Sequence, residues 1–135
     1  MGERVSFTSN GGTASGYLAR PTQPGPGIIV IQEWWGLVPH IERVTDRFAE
    51  GGFVALAPDL YDGEEAKSPD EAGKLMMSLR IDRAARDLAG AIRHLLAAEK
   101  QVTGKEVGTV GLCMGGALSL YAAAQNQEVG ACVVF

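Results

Sequence analysis

No apolar run in this chain approaches the roughly 20 residues needed to cross a bilayer, and the opening Met1-Gly2-Glu3-Arg4 carries no apolar signal core. We therefore expect a cytoplasmic protein without a membrane partner. Positive charge is also short: the net charge is −4, with acidic and basic residues intermixed, so no basic field remains to hold a phosphate backbone and nucleic acid is not an expected partner. Cysteine is scarce too. Only Cys113 and Cys132 occur, both in segments read as adjacent buried elements; thiols in a reducing compartment stay free, so no disulfide is expected. There is no internal repeat, no low-complexity tract and no charge-rich stretch poor in apolar residues, which argues against disorder.

What is present fits one globular domain over 1–135. Apolar residues make up 46% of the 135, and a chain of this length buries about two-thirds of its unfolded surface. Residues 5–9 and 15–20 alternate modestly in polarity around Asn10-Gly11-Gly12, which predicts an antiparallel hairpin at a sheet edge. Residues 27–32 (G-I-I-V-I-Q) form a short continuous apolar run, the pattern of a parallel strand covered on both faces. A helix is predicted from Ile41, with Val44, Phe48 and Ala49 at helical spacing, stopping at Gly51-Gly52. A strand over 53–57 and helices over 70–79 and 81–98 follow. The second of these helices carries Ile81, Ala84, Ala85, Leu88, Ile92, Leu95 and Leu96 on one stripe, and Gly104 marks the end of that region. Residues 107–112, 114–125 and 129–135 read as strand, helix and strand. Repeated βαβ order places the chain in the α/β class, with a mostly parallel sheet and helices on both faces.

Between the strand at 107–112 and the helix at 114–125 stands Gly111-Leu112-Cys113-Met114-Gly115-Gly116, a G-x-nucleophile-x-G elbow with cysteine in the usual serine position. A strand-to-helix turn this sharp strains the central residue, and the flanking glycines remove side chains that would collide. The following helix directs free amides and its positive dipole end at the sulfur, which favours thiolate. Two nucleotide-binding motifs fail on spacing: G-x-G-x-x-G needs glycine at Cys113, and G-x-x-x-x-G-K needs lysine at Ala117. The bland alternative is that Cys113 is a small buried residue in a tight turn.

Three segments together carry a family resemblance: Gln32-Glu33-Trp34-Trp35-Gly36, Ala57-Pro58-Asp59-Leu60-Tyr61, and the elbow. In order and interval they resemble the dienelactone hydrolase family, of α/β-hydrolase fold, over essentially the whole chain. The resemblance implies hydrolysis of a carboxylic ester or enol-lactone through a thioester acyl-enzyme, without cofactor or metal. It assigns Cys113 as nucleophile and Glu33 as the glutamate that contacts the thiol and helps deprotonate it. The backbone amides of Trp34 and Met114 would form the oxyanion hole. Glu33 can alternatively be a solvated loop carboxylate, and Asp59 belongs to a structural turn in this pattern. Trp35 and Gly36, in the same loop, and His40, at the start of the first helix, are candidate pocket residues, with Trp35 alternatively in the core.

A cysteine nucleophile needs a base held in the right tautomer, and in this fold the acid and histidine follow the nucleophile. After Cys113 there is one acid, Glu128, and no histidine; His40 and His94 both lie upstream. The strand at 129–135 would also leave a bare apolar edge. We therefore expect a truncated, N-terminal portion of such a domain, inactive alone, with a completing C-terminal segment or a second copy at that last strand. In the place where family members that bind a substrate carboxylate use an arginine, Ser68-Pro69-Asp70-Glu71 stands here. A second reading is a non-catalytic α/β domain acting through association; a third, a redox thiol, lacks a C-x-x-C partner.

Overall fold

The computed structural model describes residues 2–9 and 11–135. The expected edge hairpin is β1 (Glu3–Ser9) paired antiparallel with β2 (Gly12–Ala19); Asn10, which the sequence placed in its turn, lies outside the described residues. The remaining elements are β3 (Gly25–Ile31), α1 (Pro39–Glu50), β4 (Val54–Pro58), α2 (Pro69–Ser78), α3 (Ile81–Ala97), β5 (Val102–Gly111), α4 (Met114–Gln125) and β6 (Val129–Val134). They build one six-stranded sheet in the order β1-β2-β4-β3-β5-β6, parallel from β4 to β6 and antiparallel at the β1 and β2 end.

The apolar run of β3 shows why this sheet needs helices on both sides. Successive strand side chains point to opposite faces. Ile29 and Ile31 join Val54 and Leu56 of β4 in a core closed by Leu88, Ile92 and Leu95 of α3 and Leu118 of α4. Ile28 and Val30 join Ala55 and Ala57 in a second core closed by Ile41 and Ala49 of α1. Small alanines on that face let α1 sit close to the sheet. The helix ends where Gly52 adopts φ 102°, a left-handed conformation that costs glycine little.

Three local expectations need correction. Ile81, placed on the buried stripe of α3, is 48% exposed, because α3 turns its Ala84, Leu88 and Ile92 face to the sheet and its first residue overhangs it. Gly104 lies inside β5 with φ 80°, so the strand begins five residues earlier than the apolar run suggests. The segment of Cys132 is not buried: β6 pairs only with β5 among the described residues, and its pattern is mostly exposed, with Val134 at 52%. Both cysteines are free. No helix of the described residues is long and apolar enough to cross a membrane.

Candidate active site

The strand order decides where a site can form. From β3 the chain passes through α1 to β4 on one side, then through α2 and α3 to β5 on the other side of β3. Loops leaving the carboxyl ends of β3 and β5 therefore diverge at this switch point, the place where open α/β sheets characteristically bind ligands. The loop after β3 holds Glu33, Trp34 and Trp35; the turn after β5 holds Cys113. The two strand ends are in register, Ile31 opposite Gly111, and the Leu112 amide donates to the Ile31 carbonyl at 3.4 Å.

Cys113 has φ 58° and ψ −112°, a conformation that costs a non-glycine residue about 1–3 kcal/mol. Its surroundings enforce it. The Cys113 amide donates to the Phe135 carbonyl at 2.9 Å, Phe135 donates back to Gly111 at 3.0 Å, and the Gly116 amide donates to the Cys113 carbonyl at 2.9 Å. A methyl group on Gly111 would stand 1.8 Å from the Gly115 carbonyl oxygen, and one on Gly115 would stand 2.4 Å from the carbonyl oxygens of both Ile31 and Gln32. The turn thus requires glycine at both places, and it delivers Cys113 to the surface as an exposed side chain at the N-terminus of α4.

Among the described residues, neither the Met114 nor the Trp34 amide donates to another backbone group outside regular structure. An oxyanion hole is built from amides that are left free in this way. Trp34 and Trp35 are both half-buried and pack edge to face with ring centres 5.7 Å apart. Gly36, with φ 103°, is buried, and the contact of its loop with the segment after β4 is sealed by the Ala66 amide donating to the Trp35 carbonyl at 2.9 Å. Glu33 is half-buried and His40 exposed in the first turn of α1; among the described residues no hydrogen bond joins either side chain to Cys113. His94 packs instead against the outer strand β1, with its ring 5.9 Å from that of Phe7.

Two site residues carry contacts that sequence reasoning did not assign. Gln32 is fully buried, and its Oε1 accepts the Leu60 amide at 3.0 Å, tying the end of β3 to the segment after β4. The Tyr61 hydroxyl donates to Met114 Sδ at 3.5 Å, and burial pushes its phenol pKa up, so it remains a donor at neutral pH. Both residues belong to the motif segments, which was the available signal; the contacts between segments were not.

Asp59 is a turn residue. Its carboxylate accepts the amides of Tyr61 at 3.1 Å and Gly63 at 2.9 Å, with Arg4 at 3.8 Å. Burial pushes its pKa above the ordinary value, opposed by those two amides and by Arg4. A carboxyl raised in the folded state binds its proton more tightly there than in the unfolded chain. The resulting stabilisation is full below the unfolded pKa of about 4 and is lost as pH rises through the folded pKa. Urea midpoints of the wild type and Asp59→Asn, compared from pH 3.5 upward on a scale of about half a unit, are expected to show the wild type losing ground to the variant as pH rises. A constant difference contradicts this account.

The family model for the dienelactone hydrolase family matches residues 14–135, spanning the loop after β3, the segment after β4 and the elbow. The chain belongs to the dienelactone hydrolase family. Among its relatives, the protein usf of Aquifex pyrophilus is 44% identical over 135 residues, covering 96% of this chain and 58% of that protein. A putative carboxymethylenebutenolidase of Aquifex aeolicus is 39% identical with the same coverage, 96% and 58%. The crystal structure of a putative dienelactone hydrolase from Klebsiella pneumoniae superposes with a TM-score of 0.81 at 28% identity, covering 96% of this chain and 56% of that one. The expected α/β-hydrolase architecture is therefore the observed one, and the chain spans a little over half the length of the family members it matches.

Proposed function

We propose that this chain carries the nucleophile half of a carboxylic ester or lactone hydrolase. Cys113 attacks the substrate carbonyl to give a thioester acyl-enzyme, and water then releases the acid. The observation that carries the reading is the backbone of Cys113: a strained, left-handed cysteine, exposed at the switch point and held by three surrounding hydrogen bonds. A merely structural cysteine is more often buried, whereas this one is exposed. The amides of Trp34 and Met114 would receive the developing oxyanion, and losing one such donor typically costs roughly 3 kcal/mol of transition-state stabilisation. Glu33 is proposed to approach the thiol when substrate binds, which would require its side chain to turn toward Cys113.

The acid and histidine of the triad are proposed to come from a completing segment seated on β6. Val133 and Phe135, 47% and 72% exposed, leave apolar side chains there, at a strand that pairs only with β5 among the described residues. The greater length of the relatives fits a further segment better than a second copy.

Alkylation tests the reading against a non-catalytic domain without needing the triad. With limiting iodoacetamide and mass-spectrometric mapping, Cys113 is expected to label at least about tenfold faster than Cys132, whose sulfur lies against the Ser119 hydroxyl at 3.3 Å. Equal, slow labelling of both would remove the nucleophile assignment.

A further inference from the structure

Beside the elbow lies a cleft of about 190 Å³ between the segment after β4 and the corner joining α2 to α3. Its apolar walls are Leu60, Tyr61, Leu75 and Leu79. Tyr61 links it to the chemistry: its ring lines the cleft while its hydroxyl reaches Met114, the residue next to Cys113. One tyrosine therefore joins this space to the turn that carries Cys113.

The charges around the cleft cancel. Asp62 and Glu64 face Arg80 and Arg83 across it. Arg83 is ion-paired with Asp62, and Arg80 with Asp82 at 2.9 Å. An incoming carboxylate would have to compete with an acid already on each guanidinium, so these arginines offer it little net attraction. An uncharged group loses nothing by entering and gains by withdrawing its methylenes from water.

We propose that this cleft binds the uncharged, apolar portion of the substrate, so that the ester cleaved at Cys113 bears a short alkyl or aryl group there rather than a carboxylate. The proposal rests on Cys113 being the nucleophile, and it selects a neutral substrate class. Leu75 and Leu79 grip the apolar group, Tyr61 forms the wall shared with the elbow, and the paired arginines close the rim.

Three haloacetamides test it on the chain itself: iodoacetamide, N-hexyl-iodoacetamide, and the latter with a terminal carboxylate. In each case the Cys113 thiolate supplies the electron pair for a new carbon–sulfur bond as the carbon–iodine bond breaks and iodide leaves. Rates at Cys113 are normalised to those of the same reagents with a small free thiol. The hexyl reagent is expected to gain about tenfold over iodoacetamide, the factor from withdrawing about two methylenes from water, and the carboxylated one to gain much less. Leu75→Asp should abolish the hexyl gain, and Met77→Ala, on the exposed side of α2, should keep it. If Cys113 reacts with iodoacetamide but the hexyl reagent gains nothing, or if Leu75→Asp keeps the gain, the cleft proposal falls and the nucleophile stands. The carboxylated reagent reacting fastest would make the arginines an anion site and overturn the neutral assignment. A Cys113 inert to all three would overturn the nucleophile reading and this one with it. Should Leu75→Asp fail to fold, the three rates on the unmodified chain decide alone.

Discussion

Cys113→Ser in the completed protein is expected to lower turnover of an activated ester by at least about a thousandfold, the scale on which removal of a nucleophile acts when the rest of the site remains. Oxygen is expected to be a poor substitute for sulfur at this position, because an unionised hydroxyl is a much weaker nucleophile than a thiol. A serine hydroxyl needs a stronger base. The same position makes a second, opposite expectation. Because φ is 58°, Cys113→Gly relieves the strain of a side chain in the left-handed region and should raise stability by about 1 kcal/mol while abolishing activity. Steady-state kinetics and thermal melts on the two variants check both. A Cys113→Ser protein with unchanged kinetics removes the nucleophile, and a destabilised Cys113→Gly protein removes the strain argument.

Gly115→Ala is expected to cost more than about 3 kcal/mol or to prevent folding, because the added methyl would meet two backbone carbonyl oxygens at 2.4 Å. Those oxygens belong to Ile31 and Gln32, at the end of a central strand, and neither can swing aside as a side chain would. Relief would come only by parting α4 from β3. Gly73→Ala in α2 supplies the control: no atom lies within 4 Å of its added methyl, so the same exchange there should stabilise by about 0.5–1 kcal/mol. Urea unfolding followed by circular dichroism distinguishes them. Equal midpoints for Gly115→Ala and the wild type would mean that the turn is looser than described.

The elbow was legible before any coordinates because its requirements are local. Gly111, Cys113 and Gly115 lie within five consecutive residues, and the steric demand of a strand-to-helix turn is met or failed within that window. The strands β3 and β4 were equally readable, since a strand covered on both faces must be apolar at every position. Legibility failed where a residue's environment is set by distant elements. Ile81 has the right spacing for the stripe of α3 but overhangs the sheet, and the segment of Cys132 reads as a buried element although its strand is mostly exposed.

By itself, then, the order of residues determined the α/β class, the alternation of strands and helices, and the tight turn at Cys113, because hydrophobic period and glycine spacing act over a few residues. Tertiary structure alone decided that β3 and β5 lie side by side, that Tyr61 reaches Met114 while Gln32 holds Leu60, and that oppositely charged side chains meet around one apolar cleft. Those relations join segments tens of residues apart in the chain, and only the pairing of strands and the packing of helices on them fix such distances.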